Sequence, residues 1–137
     1  IASDHAGVLL KSKIIKFLEK MGVKILNLGS DDEERVDYPD YASKVVEEII
    51  EDVVDKGILI CGTGIGMSIA ANRSSAIRAA LCINETMAEY ARLHNNANIL
   101  VLGSKLVDDA VSLKMVEKFL SAKFEGGRHA RRLAKIV

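Results

Sequence analysis

The stretch Gly57-Ile58-Leu59-Ile60-Cys61-Gly62-Thr63-Gly64-Ile65-Gly66-Met67-Ser68 is an apolar run that ends in a cysteine and opens into alternating glycines. Its first half predicts a buried strand, because a short continuous hydrophobic run is typical of parallel strands covered on both faces. The glycines predict a tight loop whose backbone N–H groups point at an anion, and residues 67–72 predict a helix behind it. Cys61 is therefore expected at the carboxyl end of a central strand, where open α/β sheets bind their ligands.

The rest of the chain alternates short apolar runs with amphipathic stretches. Further strands are predicted over residues 1–3, 23–28, 78–83 and 97–102, with a basic helix in the tail. The helices predicted between the strands include residues 42–54, with Pro39 in a turn or at the first helical position, and residues 85–93. This alternation predicts right-handed crossovers and a parallel sheet. We predict one domain over residues 1–137, a Rossmann-like three-layer α/β/α sandwich with five parallel strands in the order 2-1-3-4-5. Its basic C-terminal helix is expected to contribute to the active site.

Composition narrows the class of function. The 137 residues carry 19 Lys and Arg against 19 Asp and Glu, and this balance argues against a protein that mainly neutralises nucleic-acid phosphates. Cys61 and Cys82 form no CxxC motif, which favours free thiols in a reducing, cytoplasmic compartment over a disulfide framework or a zinc ribbon. The sequence shows neither a leader nor an apolar run near 18 residues, so we expect neither secretion nor a membrane span.

Cys61 and Thr63, which lie at the glycine loop, each have a structural and a functional interpretation. A cysteine at a strand end is often a small buried hydrophobic residue, but a position before a glycine loop and a helix N-terminus favours a reactive thiolate. Thr63 is either a helix cap or a polar site residue. The loop has the pattern GxGxG, without the lysine of a P-loop or the spacing of the dinucleotide fingerprint, so nucleotide binding is not favoured.

Two histidines and two arginines are further candidates. His5 and His94 are either structural or functional, and each has a polar neighbour. Arg128 and Arg132 are four residues apart and would share one helix face, where two guanidinium groups suit a phosphate monoester. A solvated basic helix end explains the arginines equally well.

The position of His94 and Asn95 along the chain predicts an assembly. They precede a strand, whereas Cys61 follows one. Because the strands are expected to be parallel, His94 and Asn95 would lie at the end of the sheet opposite Cys61. We therefore predict a homodimer with shared sites, in which a second subunit supplies these residues.

Six motifs resemble the type B ribose-5-phosphate isomerase family in their residues, order and spacing, over essentially the whole chain. They are Ser3-Asp4-His5-Ala6-Gly7, Asp37-Tyr38-Pro39-Asp40-Tyr41-Ala42, Cys61-Gly62-Thr63-Gly64-Ile65-Gly66, Ser68-Ile69-Ala70-Ala71-Asn72, His94-Asn95-Asn96 and Gly126-Gly127-Arg128-His129. The family also includes galactose-6-phosphate isomerase subunits and isomerases of other six-carbon sugar phosphates. Cys61 favours the branch in which a cysteine is the base over the branch that places a glutamate in the glycine loop.

The resemblance implies a cofactor-free aldose–ketose isomerase that interconverts ribose 5-phosphate and ribulose 5-phosphate through an enediolate. Cys61 would be the base, His94 would open the furanose ring, and Thr63 and Asp4 would handle protons and hydroxyls of the sugar. The residues implied to bind the substrate are His5, Tyr38, Gly62, Gly64, Ile65, Gly66, Asn95 (from the partner subunit), Arg128 and Arg132.

Some features stay open at this stage. The resemblance implies no metal, and the sequence shows no His/carboxylate cluster. Lys105 stands where family members often have an arginine, and lysine keeps the charge but loses the bidentate fork. Arg131 is an alternative to Arg132 as the second phosphate-binding arginine, and Arg132 is preferred because it is four residues from Arg128.

The alternative functions are isomerisation of a six-carbon sugar phosphate (allose or galactose 6-phosphate) and non-catalytic sensing of a sugar phosphate. Pairing of dimers into a tetramer is also open.

Overall fold

The computed structural model describes residues 1–136, in which helices cover both faces of a parallel sheet. The strands are β1 (Ala2–Ser3), β2 (Gly57–Cys61), β3 (Ala79–Leu81) and β4 (Ile99–Gly103). The α-helices are α1 (Val8–Lys20), α2 (Tyr38–Ile50), α3 (Ile65–Ala71), α4 (Glu85–Leu93), α5 (Asp109–Ser121) and α6 (Arg128–Leu133), and a 3₁₀ turn covers His5–Gly7.

The sheet confirms the α/β Rossmann-like class but corrects its details. Within residues 1–136 it has four strands, all parallel, in the order β1-β2-β4-β3. The predictions of five strands and of the order 2-1-3-4-5 are wrong. β4 lies next to β2 and is buried throughout, whereas β3 forms the edge and is half-buried. The sequences explain this, because β4 has four large apolar residues (ILVLG) and β3 has one (AAL). The more apolar strand therefore takes the position with two neighbours.

The strand predicted over residues 23–28 does not form. An extended segment nevertheless runs beside β1, where the Leu28 N–H donates to the Ile1 carbonyl at 2.9 Å and the Ser3 N–H donates to the Gly29 carbonyl at 2.7 Å. Because β1 contributes only two residues, it offers too short an edge for a regular ladder. The segment still leads the chain along the sheet toward its carboxyl end.

Alternate residues of β2 face opposite layers. Ile58 and Ile60 pack in the core beneath α1, α4 and α5, whereas Leu59 and Cys61 pack in the core beneath α2 and α3. This is the period of two that a pleated strand imposes. It places the Cys61 side chain on the α2 and α3 side of the sheet, at the last position of the central strand.

Two helix boundaries matter for the site. α2 begins at Tyr38, four residues before its predicted start, with Pro39 in the first turn as predicted. This start carries Tyr38 to the loop after β2. α4 covers Glu85–Leu93 as predicted and leaves His94 immediately after its end. Within the described residues, no helix is both long enough and apolar enough to cross a bilayer.

Candidate active site

Cys61 lies at the base of the glycine loop. Its side chain is 5% exposed, and the Gly64 N–H donates to its Sγ at 3.1 Å. Gly64 has a φ of 78°, and a Cβ at this position would come within 2.5 Å of the Leu81 side chain, so only glycine fits. A main-chain donor aimed at the sulfur interacts more strongly with a thiolate than with a thiol. The loop geometry therefore suits a cysteine that acts as a base.

Tyr38 forms one wall of the loop. A Cβ at Gly66 would lie 2.5 Å from Cζ of the Tyr38 ring, so the absence of a side chain lets the ring approach the backbone. Tyr38 is 39% exposed, which leaves its remaining surface available to a ligand. The Thr63 Oγ1 accepts from the Ile65 N–H at 3.3 Å, which forms a local turn. The N-cap of α3 is Gly64 and no side chain caps this helix, so Thr63 is not its cap.

Asp4 and His5 follow β1, which lies beside β2. Asp4 is 7% exposed, and its Oδ1 accepts from the Ala6 N–H at 2.9 Å. The Val36 N–H donates to His5 Nδ1 at 3.3 Å, so this nitrogen is the acceptor and carries no proton. A neutral His5 therefore carries its proton on Nε2, which can donate to an anionic oxygen.

Two further residues after β4 complete this end of the sheet. The Ser104 hydroxyl lies 2.8 Å from the Ala6 carbonyl and 3.2 Å from the Cys61 carbonyl, so it links three loops. The Lys105 N–H donates to the Gly62 carbonyl at 2.9 Å, and the lysine side chain lies over Gly62, whose added Cβ would be 3.8 Å from Nζ. The sequence interpretation missed Ser104, although its position directly after a strand was the available signal.

The remaining predicted site residues, which lie elsewhere, are His94, Asn95, Arg128 and Arg132. β2 and β4 pair in register from Gly57 beside Ile99 to Cys61 beside Gly103. α4 returns the chain to the amino end of these strands, so His94 lies near the start of β4. At about 3.3 Å per residue the strands separate the two ends by roughly 13 Å. One chain therefore does not bring His94 to Cys61, as the sequence led us to expect.

His94 is the middle ring in a stack of three aromatic side chains. The His94 ring lies 4.6 Å from the Tyr90 ring at an interplanar angle of 13°, and 4.2 Å from the His129 ring at 9°. Glu125 Oε2 lies 3.9 Å from His94 Nε2 and 3.4 Å from His129 Nε2. The sequence interpretation singled out His94 but missed this stack, for which the spacing of four between Tyr90 and His94 was the only signal. The stack joins α6 to the end of α4.

This cluster corrects a second prediction, that the chain has no His/carboxylate cluster. His94, Glu125 and His129 each offer one ligand atom, and these atoms lie within 4.8 Å of one another. Stacked parallel rings, however, direct their nitrogen lone pairs along parallel lines, whereas a metal ion needs them to converge. The arrangement therefore favours ring stacking over metal coordination.

The two cysteines occupy different environments. Both are free thiols and both are buried. Burial raises the pKa of the Cys82 thiol to about 11, and its Sγ lies 3.6 Å from the Ala80 carbonyl, an acceptor that suits a protonated thiol. Cys61 instead faces a main-chain donor. Of the two, Cys61 has the environment of a base.

A cavity of about 750 Å³ lies between β3, α4 and the C-terminal segment. Asn95 and Leu133 line it, together with mostly apolar side chains. Nearby, Met87 is 41% exposed and Ile83 is 53% exposed. Tyr90, which also lines the cavity, is 48% exposed, and exposed apolar side chains around a cavity are typical of a surface that forms a protein–protein contact. The cavity lies beside the half of the candidate site that contains His94.

Comparisons with known proteins agree on one family. The sequence matches the family described as ribose/galactose isomerase over residues 1–136. A Rickettsia typhi protein, provisionally named a sugar phosphate isomerase, is 60% identical over 136 residues, which cover 99% of this chain and 94% of the relative. The structure is similar to that of a Thermotoga maritima ribose 5-phosphate isomerase, with a TM-score of 0.96 and 54% identity over 98% of this chain and 93% of that chain. It is also similar to Mycoplasma genitalium ribose-5-phosphate isomerase B with bound ribulose 5-phosphate, with a TM-score of 0.94 and 44% identity over 98% of this chain and 90% of that chain.

Proposed function

The chain belongs to the ribose/galactose isomerase family, and from this premise we propose that it interconverts ribose 5-phosphate and ribulose 5-phosphate. The observation that carries the proposal is the pairing of Cys61 with the Gly64 N–H at the carboxyl end of β2. Isomerisation through an enediolate needs a base next to main-chain donors, and this loop offers both. The Mycoplasma genitalium relative with bound ribulose 5-phosphate supports the choice of substrate.

In the proposed reaction the Cys61 thiolate removes the proton from carbon 2 of the open-chain aldose and returns it to carbon 1. The proton of the carbon 2 hydroxyl passes to the oxygen of carbon 1, and we propose that Thr63 and Asp4 carry it. Such general base catalysis is worth about 10²–10⁴-fold. The N–H groups of residues 62–66, with Asn95 of the partner subunit, stabilise the enediolate, and loss of one such donor costs about 3 kcal/mol.

The phosphate is proposed to meet positive charge from both ends of the sheet. At the carboxyl end His5 donates from Nε2, while Tyr38 flanks the sugar. Arg128 and Arg132 come from the partner subunit, and each guanidinium offers a planar fork of donors that matches a phosphate. Neither arginine lies near Cys61 within one chain, so this assignment depends on the assembly.

We propose a homodimer with two shared sites. A two-fold axis makes every contact reciprocal, so each Cys61 would receive the His94 end of the other subunit. The cavity and the exposed Tyr90 beside it support the contact, because Asn95, which must cross over, lines the same cavity and Tyr90 stacks on His94. Free thiols at Cys61 and Cys82 support a reducing, cytoplasmic compartment.

The test is proton NMR in deuterated water with ribose 5-phosphate, allose 6-phosphate and galactose 6-phosphate as substrates. We expect conversion of ribose 5-phosphate to ribulose 5-phosphate, with deuterium incorporated at carbon 1 of the product. Faster turnover of a six-carbon sugar would change the substrate and keep the chemistry. Binding of all three without proton exchange would contradict the proposal and indicate a sensor.

A further inference from the structure

The His94 ring is held on both faces. Tyr90 covers one face and His129 the other, with interplanar angles of 13° and 9°. A ring covered in this way cannot turn out of its plane, and only its edge is available for proton transfer. The side chain of His94 is nevertheless 31% exposed, so the clamped edge is open to a ligand.

His129 is buried, and Glu125 Oε2 lies 3.4 Å from its Nε2. His129 is 6% exposed, and its Nε2 has no hydrogen-bond partner within residues 1–136. Burial, and after it the positive charge of Arg128, holds the pKa of the His129 imidazole below its ordinary value. Glu125 Oε2 also lies 3.9 Å from Nε2 of His94, so its negative charge faces His94 as well as His129.

The backbone holds this arrangement in place. The Glu125 N–H donates to the Leu93 carbonyl at 3.0 Å, at the end of α4. The His129 N–H donates to the Gly126 carbonyl at 3.1 Å, which closes the turn that begins α6. Residues 125–129 therefore dock as a unit on the end of α4, and this fixes His129 against His94.

We propose that His129 is a positioning residue for ring opening: it holds the His94 imidazole in plane, next to Glu125, for proton transfer to and from the sugar. The inference rests on the proposed function. In the step concerned, the bond between carbon 1 and the ring oxygen O4 breaks and the carbon 1 carbonyl forms. The proton of the carbon 1 hydroxyl moves to O4 by way of His94, so no oxidant or cofactor is needed.

Ring opening can be measured apart from the isomerisation by comparing ribose 5-phosphate with ribulose 5-phosphate. In ribulose 5-phosphate the hydroxyl that would close a five-membered ring is esterified, so this sugar is an open chain. Exchange of its carbon 1 protons with solvent needs Cys61 but no ring opening. A residue that acts only through His94 should therefore affect ribose 5-phosphate turnover and leave this exchange unchanged.

The experiment compares His129→Ala and His129→Phe with the unmodified protein at saturating substrate. We expect His129→Ala to lower kcat for ribose 5-phosphate about 10- to 100-fold, as misplacement of a catalytic group does. Deuterium exchange into ribulose 5-phosphate should match the unmodified protein. His129→Phe keeps a flat ring on His94 and should restore most of the lost turnover. Lys135→Ala, an exposed change just after the same helix, is the matched control and should leave both rates unchanged.

Three outcomes would overturn the inference. Equal losses in turnover and exchange would show that His129 only supports the structure, and unchanged turnover in His129→Ala would show that it does not position His94. A failure of His129→Phe to restore turnover, in a variant that melts at the same temperature as the unmodified protein, would contradict the stacking role. Failure of the proposed function is distinguishable, because the unmodified protein would then show neither conversion nor exchange.

Discussion

At the carboxyl end of the sheet the candidate site is made of loops that follow buried strands, whereas at the amino end it is made of a helix end and stacked side chains. Cys61 is 5% exposed and held by main-chain hydrogen bonds around it. The His94 side chain is 31% exposed and is held mainly by the rings of Tyr90 and His129. The difference teaches that the two halves of the proposed site differ in exposure and in the kind of contact that holds the key side chain.

The largest expected effect comes from removing the base of the buried half-site. Cys61→Ala should lower kcat for ribose 5-phosphate by about 10²–10⁴-fold, because the proton at carbon 2 loses its acceptor. Substrate binding should persist, since the phosphate contacts are elsewhere. Steady-state kinetics and isothermal titration calorimetry measure the two quantities.

The matched control is Cys82→Ala, which removes the other buried thiol. Burial raises the pKa of Cys82 to about 11, so this thiol stays protonated at neutral pH, and its loss should leave kcat unchanged. Equal losses of kcat in the two variants would mean that each cysteine affects activity only by stabilising the folded structure. That result would contradict the assignment of Cys61 as the base.

A smaller effect is expected at the exposed half-site. Arg132→Ala should raise KM for ribose 5-phosphate about 10- to 100-fold, the cost of a lost charge-assisted hydrogen bond to phosphate. Arg131→Ala, its exposed neighbour, should leave KM unchanged. The reverse pattern would transfer the phosphate contact to Arg131.

The smallest effect is expected at Lys105, the positively charged side chain beside the Cys61 loop, and it tests whether this half of the site binds the phosphate itself. The Lys105 side chain lies over Gly62 but is exposed, so Lys105→Met should raise KM only about two- to fivefold. Lys105→Arg should restore or improve the KM. An effect as large as that of Arg132→Ala would show that the carboxyl end binds the phosphate without the other half-site.

The sequence predicted those parts of the molecule that depend on local pattern. The run at Gly57–Cys61 predicted a buried strand with Cys61 at its carboxyl end, and the structure places Cys61 at the last position of β2. The order of the strands depends on how completely each is buried, and the pattern alone did not rank β4 above β3. The segment at residues 23–28 has strand-like residues but lacks a long enough neighbour in β1.

The amino-end cluster was the hardest part to predict. His129 was quoted only as part of a motif, because its value lies in a contact with His94 from a distant position in the chain. Glu125 gave no signal at all, since its role depends on the turn that docks the tail on α4. Contacts between segments far apart in sequence carry no local period, so they become visible only in three dimensions.

The central claim is that each active site takes Cys61 from one subunit and His94 from the other. The most direct test mixes Cys61→Ala and His94→Ala subunits, each inactive alone, and isolates the heterodimers with two different affinity tags. In the isolated heterodimers we expect about half of the unmodified activity per subunit, because one of the two sites in each mixed dimer is intact. Heterodimers that form but remain inactive would contradict the claim and place the whole site within one chain.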